Sequence, residues 1–191
     1  MGNLLDRRLP AERACKTTRA LRHILAEPGA IVVPGVYNAL TARLAEQVGF
    51  RVIYATGAGI ANSVLGLADV GLLSMKEVLD QVNYIVNATS VPVIADADTG
   101  YGNPVNVYRT VREFEKAGVA AIQIEDQVTP KRCGHFSGKQ VVSREEMIAK
   151  IRAATDTRVD QDLVIIARTD ACALLGIEEA IERAATFVEA G

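Results

Sequence analysis

The sequence has only three cysteines in 191 residues, and their odd number and wide spacing fit neither a disulfide framework nor a zinc site. No apolar run approaches the length of a bilayer span, and the basic N-terminus lacks the apolar segment of a secretory signal. The formal net charge of −2 gives no electrostatic reason to expect binding to nucleic acid or to a membrane. These absences predict a cytoplasmic domain with reduced thiols.

Short apolar runs alternate with amphipathic segments along the chain. Five runs have the composition of strands, at 30–33, 50–55, 91–95, 120–124 and 163–167. Nearly continuous apolar strands that alternate with helices are typical of a parallel sheet covered by helices. We therefore expect an α/β fold with one core.

Helix boundaries are marked by capping residues. Three predicted helix starts combine an N-cap with a favourable residue behind it: Ser74 with Glu77, Asn103 with Pro104, and Ser143 with Glu146. Apolar residues at a spacing of four predict a further helix over 38–48. In the last helix, 177–189, Ile181, Ala184 and Val188 are expected to face the core. Residues 56–59 (TGAG) are expected to form a glycine-bearing loop.

Polar side chains follow four of the predicted strands where each strand ends. They are Tyr54 with TGAG, Asp96 with Asp98, Glu125 with Asp126, and Arg168 with Asp170. In βα barrels the catalytic groups lie at the C-terminal ends of the strands and in the loops that follow. The agreement among four strands predicts one shared active site.

The pair Asp96 and Asp98 offers two hard oxygen ligands, which suit Mg²⁺ or, alternatively, Mn²⁺. Glu125 at the next strand end and Asp69 in the loop after the second strand strengthen the prediction of a metal site. The alternative is two turn-forming aspartates that cap the loop at 99–102.

The stretch TPKRCGH at 129–135 places an amine, a guanidinium, a thiol and an imidazole within a few residues. Fixed cations beside a thiol favour its thiolate form, so Lys131, Cys133 and His135 are candidate catalytic groups. The alternative is a solvated basic turn with an incidental cysteine. Arg168 ends an apolar strand, where it needs an anion, either a substrate carboxylate or a structural partner.

Three segments, DADTGYG (96–102), IEDQVTPKRCGH (124–135) and ARTDA (167–171), match a known family. From about residue 33 to 191 the chain resembles the isocitrate lyase / phosphoenolpyruvate mutase superfamily, in the branch of short lyases that includes methylisocitrate lyase and 2,3-dimethylmalate lyase. The resemblance implies a (β/α)8 TIM-type barrel, of which the chain covers about the first five βα units. It implies a single α/β barrel domain over 1–191, incomplete at its C-terminal end, and a homotetramer.

The resemblance also implies an activity. It is a Mg²⁺-dependent carbon–carbon lyase, which cleaves a 2-hydroxy di- or tricarboxylate of the 2-methylisocitrate or dimethylmalate type to an α-keto acid such as pyruvate and a second carboxylic acid. The implied site consists of Asp69, Asp96 and Asp98 at Mg²⁺, Cys133 as the acid/base on a mobile loop, Lys131, Gly134 and His135 at the substrate, Arg168 on a carboxylate, and Tyr54, Thr56, Gly57 and Ala58 around the keto acid.

Other functions stay open at this point. Within the superfamily they are carboxyphosphonoenolpyruvate phosphonomutase chemistry and oxaloacetate decarboxylation, and the thiol of KRCGH favours the lyase over both. Outside it, the chain could be a non-catalytic truncated barrel, or a nucleotide-binding module, although no phosphate-binding loop is present.

Overall fold

The computed structural model describes residues 10–134 and 136–191, with side chains from residue 16 onward. Its strands are β1 (Gly35–Val36), β2 (Ile53–Ala55), β3 (Val93–Asp96), β4 (Ala121–Glu125) and β5 (Val164–Arg168). Its helices are α1 (Pro10–Leu25), α2 (Ala39–Val48), α3 (Gly57–Leu65), α4 (Met75–Ala88), α5 (Pro104–Ala117), α6 (Arg144–Thr157), α7 (Cys172–Leu175) and α8 (Ile177–Ala190). The expected βα alternation is confirmed.

The strands form one parallel sheet in the order β1-β2-β3-β4-β5. Tyr54 pairs with Ile94, and Glu125 pairs with Arg168. All residues of β3 are buried, as expected for a parallel strand covered on both faces. Because neighbouring strands run in the same direction, their C-terminal ends meet at one edge of the sheet.

The predicted caps begin their helices. Ser74 accepts a hydrogen bond from the backbone N–H of Glu77, Asn103 accepts from Val105 at 2.9 Å, and Ser143 accepts from Glu146 at 3.2 Å. Each cap satisfies a backbone donor that the first helical turn leaves without an intrahelical partner. The helix starts of α4, α5 and α6 were therefore predictable from local chemistry.

Two local predictions are wrong. Residues 30–33 do not form a strand; Ile31 and Val33 instead pack against a small apolar cluster around Leu21 and Ile24 of α1. Burial against a helix thus explains an apolar run that we assigned to sheet pairing. Residues 56–59 are not a loop, since Thr56 is the N-cap of α3 and its hydroxyl accepts from Gly59 N at 3.4 Å.

The inward face of α8 also differs from the prediction. Ile181, Ala184 and Val188 are exposed. The buried residues are instead Ala180, Arg183 and Phe187. Arg183 is buried because its Nη1 lies 3.1 Å from Asp126 Oδ2 and donates to the Val142 carbonyl at 2.9 Å. An apolar pattern cannot reveal an inward face that carries a paired arginine.

Helix α1 covers the N-terminal end of the sheet. Leu21 and Ile24 pack with Val52 and Ile94 of that end. Thr18 fixes the helix to the loop before β5 by donating to Asp160 Oδ2 at 2.7 Å. With this end covered, the opposite, C-terminal end remains for a binding site. None of the described helices is long and apolar enough to cross a membrane.

Candidate active site

Side chains from β2 to β5 meet at the C-terminal edge of the sheet. Gln123 Nε2 donates to the Tyr54 hydroxyl at 2.8 Å, which connects β4 to β2. Arg168 Nη1 lies 3.4 Å from Glu125 Oε2, which connects β5 to β4. Asp96 on β3 lies close enough for its charge to favour a higher pKa at both Tyr54 and Arg168. The strand-end residues therefore share one cleft.

Asp96 is held in place by backbone donors. Its Oδ2 accepts from Gly57 N at 3.2 Å, and its Oδ1 accepts from Asp98 N at 3.1 Å. A Cβ at position 57 would lie 3.1 Å from Asp96 Oδ2 and 3.3 Å from Asp98 Oδ1. Glycine thus allows the start of α3 to approach the two carboxylates closely, at a place where the sequence predicted a glycine-bearing loop.

Lys131 is directed into the carboxylate cluster. Its Nζ lies 2.6 Å from Asp69 Oδ2 and 2.9 Å from Asp98 Oδ1, and its side chain is only 5% exposed. Burial alone would lower the pKa of Lys131, but Asp98 and Asp69 outweigh it and raise that pKa above the usual range. The ammonium therefore stays charged and compensates two carboxylates. Arg132, the other cation beside Cys133, donates to the Ser137 carbonyl at 3.1 Å.

Burial dominates the acid–base behaviour of the site. It raises the pKa of Glu125 to about 8, although Arg168 and Lys131 act in the opposite direction. Burial, together with Asp96, raises the pKa of Asp98 to about 6. The same two causes raise the pKa of Tyr54, so its hydroxyl keeps its proton at neutral pH. A site with this many buried carboxyl groups favours the arrival of a cation.

The carboxylates fit a metal that is held partly through water. Within residues 16–134 and 136–191 no three His, Cys, Asp or Glu side chains form a ready set of direct metal ligands. Mg²⁺ usually binds through one or two carboxylates and keeps several waters. Glu125 Oε1 is buried and has no hydrogen-bond partner. Since Asp69 and Asp98 hold Lys131, Asp96 and Glu125 are the carboxylates that best fit the ion.

The loop at 129–139 carries Cys133 and lies beside Arg168. Its two ends are joined by backbone hydrogen bonds, of which Val128 N to the Gln140 carbonyl measures 2.9 Å. Cys133 is half-buried, and a Cβ at Gly134 would lie 2.8 Å from Arg168 Nη2. The loop therefore brings the residue next to Cys133 to the edge where the charged groups lie. His135, a predicted catalytic residue, lies outside the described residues.

Two glutamines at the site escaped the sequence analysis. Gln123 is a polar residue inside the apolar strand AIQIE, and that pattern could have revealed it. Gln127 follows Asp126 and is buried, but nothing in the sequence distinguishes it from a loop residue. Thr56 and Ala58, predicted to contact the substrate, lie at the N-terminus of α3 beside Gly57.

A sequence profile of the phosphoenolpyruvate phosphomutase family matches residues 21–191. The chain belongs to this family. It is 55% identical over 175 residues to 2,3-dimethylmalate lyase from Eubacterium barkeri, a match that covers 92% of this chain and 61% of that protein. It is 49% identical over 170 residues to 2-methylisocitrate lyase from Shewanella oneidensis, covering 89% and 58%.

Solved structures of the family superpose closely on the chain. Oxaloacetate acetylhydrolase in complex with 3,3-difluorooxalacetate gives a TM-score of 0.89 at 46% identity, covering 93% of this chain and 61% of that one. Phosphonopyruvate hydrolase in complex with oxalate and Mg²⁺ gives 0.84 at 38% identity, covering 92% and 60%. The expected superfamily and barrel-type α/β fold are confirmed. The chain spans about three fifths of the length of these relatives.

Proposed function

We propose that the chain supplies the metal- and substrate-binding edge of a Mg²⁺-dependent carbon–carbon lyase. The substrate class is a 2-hydroxy di- or tricarboxylate, and the products are an α-keto acid and a second carboxylic acid. The observation that carries the proposal is the convergence of Tyr54, Asp96, Glu125 and Arg168 at four adjacent strand ends, with the Cys133 loop beside them. The lyases among the relatives support it.

Asp96 and Glu125 are the proposed contacts to Mg²⁺, or to Mn²⁺ in its place. A divalent ion held there would polarise the hydroxyl and carboxylate oxygens of the substrate and offset the charge that develops on them as the hydroxyl becomes a keto group. Asp69 and Asp98 complete the negative surroundings, and Lys131 limits the excess charge through its two ion pairs. In this proposal Lys131 keeps its proton throughout and compensates charge.

Arg168 and the start of α3 are the proposed binding groups for the carboxylate ends of the substrate. The Arg168 guanidinium, whose Nη1 lies 3.4 Å from Glu125 Oε2, has the geometry to bind a substrate carboxylate through two parallel N–H···O bonds. Thr56, Gly57 and Ala58 surround a helix N-terminus, where backbone N–H groups and the helix dipole favour an anion. The Tyr54 hydroxyl, which remains protonated, can donate to a keto oxygen.

Cys133 is the proposed proton donor. A base removes the proton of the substrate hydroxyl and passes it to solvent, and the hydroxyl oxygen becomes the keto oxygen of one product as the bond between the two carbon fragments breaks. The electron pair of that bond stays on the departing acid as a carbanion, and the Cys133 Sγ–H transfers its proton to that carbon. The thiolate then takes a proton from solvent after the products leave. The loop that carries Cys133, whose Gly134 lies beside Arg168, is proposed to cover this side of the cleft and to limit the access of water to the carbanion. His135 is proposed to assist on the same loop.

Product analysis tests the proposal. The protein is incubated with Mg²⁺ and, in separate samples, 2-methylisocitrate, 2,3-dimethylmalate, oxaloacetate and phosphonopyruvate, and the products are identified by NMR. We expect an α-keto acid and a second acid from one of the hydroxy acids. Hydrolysis of oxaloacetate or phosphonopyruvate alone would assign the chemistry of the two solved hydrolases instead. No turnover, combined with no thermal stabilisation by oxalate and Mg²⁺, would support a non-catalytic barrel.

Assembly and location complete the proposal. A homotetramer and a cytoplasmic location were expected from the sequence, and both stay predictions. Light scattering of the purified protein measures the assembly directly.

A further inference from the structure

Gln127 is a buried amide that holds the loop of Cys133 by its backbone. Its side-chain Oε1 accepts from Arg132 N at 3.0 Å, and its Nε2 donates to the Arg132 carbonyl at 3.0 Å. The two hydrogen bonds engage both the backbone N–H and the backbone carbonyl of Arg132, as a neighbouring β-strand would. Gln127 is 1% exposed, so these bonds are shielded from water. The residue that precedes Cys133 is thereby fixed against the end of β4.

The same amide reaches the arginine of the cleft. Gln127 Nε2 also donates to Asp170 Oδ2 at 2.7 Å, and Asp170 Oδ1 lies 3.1 Å from Arg168 Nη2. Gly134 contacts Arg168 from the loop side, because a Cβ there would lie 2.8 Å from Nη2. One uncharged side chain thus connects the loop of Cys133 to the partner of Arg168.

We propose that Gln127 is a positioning residue that sets the location of Cys133 relative to Arg168. The inference rests on the proposed function, in which these two side chains are the proton donor and the carboxylate-binding group. The amide is chemically specific, because it provides one acceptor and two donor contacts in a fixed plane. A carboxylate of the same shape lacks the N–H group and would face the Arg132 carbonyl and the Asp170 carboxylate with oxygen.

Two substitutions test the role, with a matched control. Gln127→Glu removes the donor at nearly constant shape, and Gln127→Met removes all polar contacts at similar length. Gln140→Glu makes the same charge change at an exposed side chain directly after the loop. Cys133 alkylation by iodoacetamide is followed by peptide mass spectrometry, with the exposed Cys172 as the internal reference. Hydrogen exchange of the Arg132 amide is measured in parallel.

We expect both Gln127 variants to increase Cys133 alkylation and Arg132 exchange about tenfold, since each loses buried hydrogen bonds that close the loop. The control and the amides of β3 should keep wild-type rates. Unchanged rates in the Gln127 variants would overturn the proposal. So would loss of protection in β3 in both variants, because Gln127 would then support the whole fold rather than the loop.

Kinetics separate this inference from the proposed function. If the protein is a lyase, Gln127→Glu should lower kcat by about a hundredfold and change KM by less than about threefold, because proton transfer depends on geometry more than binding does. Equal losses in the Gln140→Glu control would contradict the role. A wild-type protein without lyase activity removes the proposed function, yet the alkylation and exchange measurements still decide whether Gln127 fixes the loop.

Discussion

Glu125 and Arg168 are direct partners in the parallel register of β4 and β5, and their side chains meet with Arg168 Nη1 3.4 Å from Glu125 Oε2. Glu125 is nevertheless protonated in part near neutrality, because burial raises its pKa to about 8 despite the arginine. A buried carboxyl with this behaviour is poised to release its proton when a cation arrives. In the proposed function, the pair would therefore link metal binding to substrate binding at adjacent strand ends.

Glu125→Gln should change how the stability of the metal-free protein depends on pH. An unfolded glutamate ionises near pH 4.3, whereas Glu125 in the fold ionises near pH 8. Between these values the folded state binds more protons, so this residue makes stability fall as pH rises from about 4 to about 8. Thermal unfolding in EDTA from pH 5 to 9 should show a shallower fall in the variant. A steeper fall would contradict the assignment.

Asp96→Asn should remove the response to Mg²⁺. An uncharged amide loses the attraction for the ion, although the side chain can still accept a hydrogen bond from Gly57 or Asp98. At a Mg²⁺ concentration about 100 times its Kd, the wild-type protein should gain about 2.7 kcal/mol of unfolding free energy. Asp80→Asn, at an exposed ion pair on α4, is the control and should retain the gain. Retention of the gain in Asp96→Asn would exclude this carboxylate as a ligand.

Arg168→Lys should weaken substrate binding, because an ammonium cannot replace a bidentate guanidinium. We expect kcat/KM to fall by about 10²-fold, with most of the change in KM. Arg109→Lys on the exposed face of α5 is the matched control. The measurement is initial-rate kinetics with the hydroxy acid identified by product analysis. A change in kcat alone would mean that Arg168 contributes to the chemical step and not to binding.

The convergence of the strand-end residues could be predicted from the sequence because the signal is local. Asp96, Glu125 and Arg168 each end an apolar run, and a parallel sheet must bring such ends together. The ion pairs and hydrogen bonds that support these residues could not be predicted, because they join residues that are distant in the chain. Arg183 pairs with Asp126 across 57 positions, and Gln127 meets Asp170 across 43. Neither residue disturbs a local pattern in a way that identifies its partner.

Cys133→Ser should lower kcat strongly and leave substrate binding almost intact. A serine hydroxyl occupies similar space, but it is a far weaker acid than a thiol and protonates a carbanion slowly. Proton transfer by a positioned group contributes about 10²–10⁴-fold, so a loss of that order is expected in kcat with a small change in KM. Cys172→Ser, at an exposed thiol on α7, should behave as the wild type. Full turnover in Cys133→Ser would assign proton donation to another group.

Arg183→Met should destabilise the fold through Asp126. Asp126 is 0% exposed, and it accepts from Thr169 Oγ1 at 2.6 Å, from Asp170 N at 2.9 Å and from Arg183 Nη1 at 3.1 Å. Without the arginine, the buried Asp126 carboxylate loses its ionic partner, and we expect the free energy of unfolding to fall by about 3–5 kcal/mol.

Arg144→Met is the matched control for this change. Arg144 and Arg183 both pair with Glu179, but Arg144 does so at the surface of the molecule. Its removal should therefore lower the free energy of unfolding by at most about 1 kcal/mol. Urea unfolding at pH 7 measures both variants. Equal losses would show that Arg183 contributes as a surface ion pair does, and that the hydrogen bonds from Thr169 and Asp170 suffice to keep the Asp126 carboxylate buried. A loss confined to Arg183→Met would instead make α8 part of the support beneath Asp170 and Arg168.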